Sequence, residues 1–84
     1  MKRRTRYEIY FDVLDAVRRK GAITITKLSY SAQLPVDRAK SVVNFLVSKG
    51  LLREDNMGGR KVYRLTERGG AFLEALRTIK KFMG

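Results

Sequence analysis

The segment TKLSYSAQLPVDRAKSVVNFLVSKG, residues 26–50, decides how this chain folds. It contains the only proline of the chain, Pro35, and it ends at Gly50. Proline is tolerated in the first turn of a helix but not in its interior, so Pro35 marks the start of a new helix. The pattern therefore predicts a short helix over about residues 27–33, a tight turn, and a longer helix over about residues 35–49.

The longer helix is amphipathic, with one apolar and one polar face. Its apolar residues recur at helical spacing and are expected to be buried: Ala39, Val42, Val43 and Leu46. The opposite face carries small polar and charged side chains: Asp37, Arg38, Lys40, Ser41, Asn44 and Ser48. For the short helix, Thr26 is the expected N-cap, with Leu28 and Ala32 together on one face.

A first amphipathic helix precedes this segment. It is predicted over about residues 5–19, and Gly21 stops it. Its apolar stripe consists of Tyr10, Val13, Leu14 and Val17. Phe11 lies off the stripe and would cover a second neighbour, such as the last helix or another subunit. Residues 22–25 then form a short β-prone piece that is rich in branched residues.

Two strands are predicted after the segment. They cover residues 51–54 and 61–65, and the turn-rich connection of residues 55–60 contains the pair Gly58 and Gly59. This pattern indicates a β-hairpin with a flexible, basic tip.

A last helix is predicted over about residues 67–82, with Thr66 as its cap. Its apolar residues line up on one side: Phe72, Leu76, Ile79 and Met83. Gly69 and Gly70 near its start are each unfavourable in a helix by about 1 kcal/mol relative to alanine, and close packing would explain them.

The predicted order is helix, strand, helix, helix, strand, strand, helix, which is a mainly α fold with a small β-hairpin (α+β). A short helix joined by a tight turn to a longer one is the helix-turn-helix signature, and a basic hairpin directly after it makes the winged version. We divide the chain into a basic N-terminal arm (residues 1–6), a winged helix-turn-helix core (residues 7–66) and a C-terminal helix (residues 67–84) for packing or dimerisation.

The charge of the chain points to a polyanionic partner. Nineteen lysines and arginines against eight acidic residues give a formal net charge of +11. Such a field attracts nucleic acids, and a domain with an isoelectric point above about 9 is typical of nucleic-acid binding. Charge alone would also suit a ribosome-associated protein or one bound to an anionic membrane, so composition does not distinguish these partners. No apolar run approaches the roughly 18 residues of a membrane span.

The residues that are missing argue against an enzyme. The chain has no cysteine and no histidine, which excludes disulfides, thiolate nucleophiles, imidazole acid–base chemistry and zinc sites of the usual kind. The eight carboxylates are scattered singly along the chain, and a chain this short rarely encloses a substrate pocket. We therefore expect no catalytic residues, no cofactor, no metal site and no small-molecule substrate.

Four groups of residues are predicted to contact double-stranded DNA. On the third helix, Asn44 can pair with adenine, while Arg38 and Lys40 would reach phosphates or guanine. The wing would lie on the phosphate backbone through Gly58, Gly59, Arg60 and Lys61. The second helix would position the protein on the backbone through Thr26, Lys27 and Ser31. The N-terminal arm would reach a minor groove or phosphates through Lys2, Arg3, Arg4 and Arg6.

Three stretches of the chain resemble a known family. They are Arg4–Ile9 entering the first helix, Asn44–Leu51 ending the third, and Tyr63–Gly69 entering the last. The second and third resemble the patterns N-F-L-x-x-K-G-L and Y-x-L-T-x-K/R-G of the archaeal winged helix-turn-helix group that includes the 10a-type chromatin proteins. The resemblance covers about residues 4–76.

The resemblance implies DNA binding in archaea or their viruses, as a chromatin protein or transcription regulator. It also implies a homodimer, because the 10a-type proteins pair through a long antiparallel coiled coil. The last helix of this chain is shorter and offers barely two heptads, through Phe72, Leu76, Ile79 and Met83. The same stripe could instead pack back on the first helix, against Tyr10, Phe11 and Val13.

The sequence as a whole predicts a cytoplasmic, nucleoid-associated DNA-binding protein, either a transcriptional regulator or a chromatin-associated protein. The alternative is a winged-helix interaction module in a transcription or RNA-processing assembly. The mark of such a module would be an apolar surface patch, for which Phe11, Phe45 and Phe82 are candidates. Binding to RNA is a third possibility that the charge permits, although the deep, narrow major groove of A-form RNA suits the predicted helix less well.

Overall fold

The computed structural model describes residues 4–83 and shows four helices and one antiparallel hairpin within them. In chain order they are α1 (Arg6–Lys20), α2 (Ile25–Ser31), α3 (Val36–Ser48), β1 (Leu52–Met57), β2 (Arg60–Leu65) and α4 (Glu67–Met83). The predicted mainly α fold with a small hairpin is confirmed. The strand predicted between the first two helices is reduced to a single bridge, in which Ile23 pairs with Tyr63 of β2.

A capping box starts α1. The Thr5 hydroxyl accepts a hydrogen bond from the Glu8 amide at 3.1 Å, and the Glu8 carboxylate accepts one from the Thr5 amide at 3.0 Å. Gly21, with φ of 79°, ends the helix as predicted. The buried face consists of Ile9, Val13, Leu14, Ala16 and Val17.

The second helix begins two residues earlier than predicted. Its N-cap is Thr24, whose hydroxyl accepts a hydrogen bond from the Lys27 amide at 3.4 Å, so the prediction of Thr26 as the cap was wrong. Thr26 lies inside the helix, where its carbonyl oxygen accepts a hydrogen bond from Ser29 Oγ at 2.9 Å. The reason is that only Ile23 of the preceding β-prone piece pairs with the hairpin, which leaves Thr24, the next residue, free to cap α2.

The turn between α2 and α3 is a Schellman motif. The Leu34 amide donates to the Ser29 carbonyl at 2.9 Å, and the Gln33 amide donates to the Tyr30 carbonyl at 3.2 Å. Gln33 has φ of 55° and so occupies the left-handed position that glycine usually fills. This turn redirects the chain into Pro35, the N-cap of α3.

The third helix is bounded within one residue of the prediction at each end. It begins after Pro35, and Gly50, with φ of 74°, follows its end. The Leu51 amide donates to the Leu46 carbonyl at 2.9 Å, which closes the last turn. The predicted apolar face is confirmed, since it is buried at Ala39, Val42, Val43 and Leu46.

The hairpin is longer and its turn tighter than predicted. The register runs from Leu52 opposite Leu65 to Met57 opposite Arg60. The two glycines that join the strands have φ of 59° and 82°, the signs of a type I′ turn, whose twist matches that of the strands. The turn predicted over residues 55–60 was therefore too long. Its polar flanks pair across the hairpin without the apolar alternation that usually reveals a strand.

The base of the hairpin is fastened to the ends of α3 and α4 through Thr66. Its hydroxyl donates to the Gly50 carbonyl at 2.6 Å and accepts from the Gly69 amide at 2.9 Å, which confirms Thr66 as the cap of α4. A Cβ at Gly69 would collide with the Leu51 carbonyl oxygen and come within 2.9 Å of Leu65 Cδ1. The close packing predicted for Gly69 is therefore confirmed. The same prediction for Gly70 was wrong, since a Cβ there would have its nearest neighbour, Leu65 Cδ2, at 3.8 Å.

The apolar stripe predicted for α4 is divided in the structure. Leu73, which the prediction omitted, and Leu76 are buried, and Phe72 packs half-buried against the core. Ile79 and Met83, further along the stripe, keep 56% and 81% of their surface exposed. The first half of the helix therefore packs back on the domain, while the last turns leave their apolar side chains in solvent.

The core draws on all four helices and on the hairpin. Its largest fully buried side chains are Leu14, Leu28, Leu46, Leu52, Leu73, Val13, Val17 and Val43. Because every helix and β1 contribute at least one of these side chains, close packing fixes the position of α3 and of the hairpin base on the domain. Within residues 4–83, no helix combines the length and the apolarity that a membrane crossing requires.

Candidate nucleic-acid interface

The polar face of α3 is exposed to solvent. The six residues predicted for it are all exposed: Asp37, Arg38, Lys40, Ser41, Asn44 and Ser48. The hydroxyl of Ser41 donates to the Asp37 carbonyl at 3.2 Å, and that of Ser48 donates to the Phe45 carbonyl at 2.6 Å. Among the described residues, Asn44 has no side-chain hydrogen-bond partner. Its amide is therefore free to donate and accept at once, as bidentate base recognition requires.

The cations around α3 lack acidic partners, unlike Arg18 and Arg19 near the end of α1. Within residues 4–83, no ion pair is formed by Lys27, Arg38, Lys40 or Arg60. On α1, by contrast, the Asp15 carboxylate lies 3.1–3.5 Å from three guanidinium groups, those of Arg18, Arg19 and Arg77. Cations without an acidic partner thus lie on α2, on α3 and at the wing tip.

Asp37 is the one carboxylate on the polar face of α3. It lies in the first turn of the helix, where a negative charge interacts favourably with the helix dipole. In the described part of the chain it forms an ion pair with neither Arg38 nor Lys40. A carboxylate in this position can accept a hydrogen bond from the amino group of cytosine.

Ion pairs between the two strands of the wing offset part of its positive charge. Arg64 lies 3.0 Å from the Asp55 carboxylate, and Lys61 lies 3.8 Å from that of Glu54. A hydrogen bond from the Asn56 amide, together with the Arg64 guanidinium, holds the pKa of Asp55 below its usual value of 3.8. These carboxylates leave Arg60 as the uncompensated cation next to the two turn glycines, Gly58 and Gly59, all three of which are exposed.

The solvent face of α2 contains a tyrosine that the prediction missed. Thr26, Lys27 and Ser31 are exposed as expected, and Tyr30 beside them keeps 80% of its surface in solvent. Tyr30 is two residues from both Leu28 and Ala32, so helical spacing places it on the side of α2 opposite these two buried residues. The signal was therefore present in the sequence.

Arg4 differs from the prediction that it belongs to a DNA-binding arm. Its Nη1 donates to Asp12 Oδ2 at 2.8 Å and to the Ala32 carbonyl at 2.7 Å, while its Nη2 donates to the Gln33 carbonyl at 2.8 Å. Arg4 thus joins α1 to the turn of the helix-turn-helix and holds that turn in place. Sequence reasoning could not find this role because the contact spans 28 positions of the chain.

The remaining residues of the predicted arm are only partly within the structure. Lys2 and Arg3 lie outside the described residues. Arg6 is the first residue of α1, is exposed, and lines a surface groove together with Arg38 and Ser41 of α3. The structure therefore brings Arg6 to the flank of α3.

Comparison with known proteins defines the class of this chain. A sequence profile of the winged helix-turn-helix family matches residues 3–84. The chain belongs to the winged helix-turn-helix family. No curated protein sequence matches it.

Among solved structures, the chain is similar to Sso10a-2, a DNA-binding protein from Sulfolobus solfataricus. The two share 28% identity with a TM-score of 0.84, over 95% of this chain and 82% of that one. This likeness confirms the resemblance to 10a-type proteins that the sequence predicted.

Two transcriptional regulators share the fold. A variant of MarR from E. coli, complexed with operator DNA, has 24% identity and a TM-score of 0.75 over 82% of this chain and 51% of that one. BldR from Sulfolobus solfataricus has 17% identity and a TM-score of 0.82 over 89% of this chain and 55% of that one. The chain spans about half the length of these regulators.

Proposed function

We propose that the protein binds double-stranded DNA with α3 in the major groove and the wing on the adjacent backbone. The observation that carries this proposal is the polar face of α3, where Asn44 has free hydrogen-bonding groups between unpaired cations. An exposed helix of this kind fits a major groove about 12 Å wide. The similarity to Sso10a-2, a DNA-binding protein, supports the same reading.

Each element has a distinct role in this proposal. Asn44 reads adenine, and Arg38 and Lys40 reach phosphates or guanine. Arg60 binds phosphate directly, and Lys61 does so by exchanging the Glu54 carboxylate for a phosphate oxygen. The exposed turn glycines of the wing let its backbone approach the duplex closely. The second helix contacts the backbone and fixes the register without reading sequence, through Thr26, Lys27 and Ser31.

The chemistry of α3 favours regulation over bulk packaging of DNA. Its exposed face combines one carboxylate, two cations, two hydroxyls and one amide, at Asp37, Arg38, Lys40, Ser41, Ser48 and Asn44. A varied surface of this kind can discriminate between bases, whereas a uniformly basic one binds any phosphate backbone. We infer a transcriptional regulator in the cytoplasm, associated with the nucleoid, with no catalytic function.

The proposed state on DNA is a homodimer formed through the end of α4. Phe72 and Leu76 are engaged within the domain, which leaves Ile79 and Met83 of the predicted interface, with Phe82 beside them at 85% exposure. A two-fold dimer would place two copies of α3 on half-sites about 34 Å apart, one turn of B-form DNA.

The charge of the wing tip gives the first prediction. We expect affinity for a duplex of random sequence to fall steeply with salt, because each neutralised phosphate contributes about 0.9 to the slope of log affinity against log salt. Arg60→Ala should weaken binding to every sequence and reduce that slope by about 1 per protomer. Fluorescence anisotropy across a series of salt concentrations measures both quantities.

The matched control is Arg18→Ala, which removes the same charge from α1. Asp15 keeps Arg19 and Arg77 as partners in that variant, so no carboxylate is left unpaired. The control should retain the wild-type slope, and an RNA duplex should bind less well than DNA. Equal losses in the two variants, or no DNA binding at low salt, would argue against the proposed surface.

A further inference from the structure

A surface cleft lies on the flank of α3, where the N-terminal half of α1 and the start of α4 meet its last turns. This open cleft has a volume of about 530 Å³, within the range of about 300–1,000 Å³ that is usual for small-molecule sites. The side chains that line it fall into an aromatic group and a cationic group, and none of its lining residues is acidic.

The aromatic group forms a partly exposed stack. The rings of Tyr10 and Phe45 stack with centroids 5.2 Å apart and an angle of 15° between their planes. Tyr7 meets Tyr10 edge-on at 6.0 Å, and Phe72 lines the cleft from α4. Tyr7 and Phe45 keep 61% and 41% of their surface exposed. The cleft therefore presents aromatic surface to which a further planar ring can pack.

The cationic group consists of Arg6, Lys49 and Arg68. Within residues 4–83, none of these three side chains forms an ion pair. Lys49 Nζ lies 5.5 Å from the centroid of the Phe45 ring, so a positive charge stands directly beside the aromatic stack. The three residues come from α1, from the end of α3 and from α4, and their charges surround one cleft without a carboxylate to balance them.

We propose that this cleft binds a small planar aromatic anion, a ring that carries a carboxylate. The ring would pack on Phe45 and Tyr7, and the carboxylate would take charge-assisted hydrogen bonds from the cations at the rim. A neutral ring would leave those cations without a counter-ion, and a bare inorganic anion would leave the aromatic surface in water. A base within a duplex is already stacked on its neighbours, so the fitting ligand is a free small molecule.

The test is a titration of the isotope-labelled protein with 2-naphthoate, followed by amide chemical shifts. We expect saturable binding, with the largest shifts at residues of the cleft. The neutral analogue 2-naphthalenemethanol, which has the same ring system, should bind about tenfold more weakly, since it lacks the charge-assisted contacts. Arg68→Gln and Lys49→Gln should each weaken 2-naphthoate binding by about five- to tenfold. Phe45→Ala should weaken the binding of both 2-naphthoate and its neutral analogue.

Arg18→Gln is the control for loss of charge, because Arg18 is absent from the cleft. It should leave the dissociation constant unchanged, and thermal unfolding of each variant verifies that the fold is intact. Equal affinity for the anion and the neutral ring, equal losses in Arg18→Gln and Arg68→Gln, or shifts centred outside the cleft would each overturn the proposal. The assay contains no DNA, so its outcome is independent of the proposed DNA-binding function.

Discussion

Single residues at the junctions between elements determine how α3 and the wing are held. Gly69 shows this most clearly, because any side chain there would strike the backbone that links α3 to β1. Such an overlap cannot be relieved by a rotamer change, since the obstructing atoms include the Leu51 carbonyl. The helix must therefore shift away from the hairpin or the hairpin base must open.

Gly69→Ala is expected to lower the free energy of unfolding by about 2–4 kcal/mol, as overpacking against a fixed neighbour does. Gly70→Ala is the matched control, because a Cβ there would have its nearest neighbour, Leu65 Cδ2, at 3.8 Å. It should be neutral or stabilising by up to about 1 kcal/mol through helix propensity. Urea denaturation measures both variants, and equal stability of the two would contradict the packing described for Gly69.

Arg4 is the second residue with an effect beyond its own position. Arg4→Ala removes three donated hydrogen bonds and leaves two carbonyls of the α2–α3 turn without that partner. The expected loss is about 1–2 kcal/mol of unfolding free energy, because the side chain is only partly buried. Arg4→Lys should not restore it, since a single ammonium lacks the forked geometry that reaches all three acceptors. Full stability of Arg4→Lys in urea denaturation would show that charge alone suffices.

Among the elements, the hairpin contains a carboxylate, Asp55, whose surroundings in the folded state link stability to pH. The pKa of Asp55 is lowered in the folded state by the Asn56 amide and by Arg64. A carboxylate with a lowered pKa stabilises the fold above its unfolded pKa, about 3.8, and loses that contribution as the pH falls through the folded value.

Asp55→Asn should therefore lose less stability than the wild type between pH 5 and pH 2 or so, because asparagine does not titrate. At neutral pH the variant should be the less stable of the two, since the interaction of the carboxylate with Arg64 is gone. Chemical denaturation at several pH values measures the difference. Parallel curves for the two proteins would mean that Asp55 contributes nothing to the pH dependence.

The elements also show what the sequence could and could not predict. The boundaries of α3 followed from Pro35 and Gly50, whose backbone preferences act locally. The start of α2 was misplaced because two threonines two residues apart are both suitable caps, and only the bridge between Ile23 and Tyr63 distinguishes them. The full length of the wing was missed because its tip pairs through polar residues.

For the assembled protein, the proposed homodimer rests on the exposed apolar end of α4. Ile79, Phe82 and Met83 each keep more than half of their surface in solvent. We expect wild-type protein to dimerise at micromolar concentration and Ile79→Lys to shift it toward the monomer, because a buried lysine without a partner is unfavourable. Light scattering coupled to size exclusion measures the mass. A wild-type monomer at high micromolar concentration would exclude this interface.

The candidate site was easier to predict than the contacts that hold it. Helical periodicity shows which side of α3 is buried and therefore which side faces solvent. For this reason the exposure of its six polar residues could be predicted from the sequence. The role of Arg4 and the cleft beside Phe45 depend on contacts between distant parts of the chain. Periodicity and local propensity contain no information about such contacts, so only the folded structure shows them.

We propose α3 and the wing tip as the surface that binds duplex DNA. The most direct test is to titrate the isotope-labelled protein with a B-form duplex and map the amide chemical-shift changes onto the structure. We predict the largest changes on the exposed face of α3 around Asn44, at the wing glycines beside Arg60, and near Lys27 on α2. Changes centred instead on α4 or around Asp15 on α1, with α3 unaffected, would show that DNA binds elsewhere on the protein.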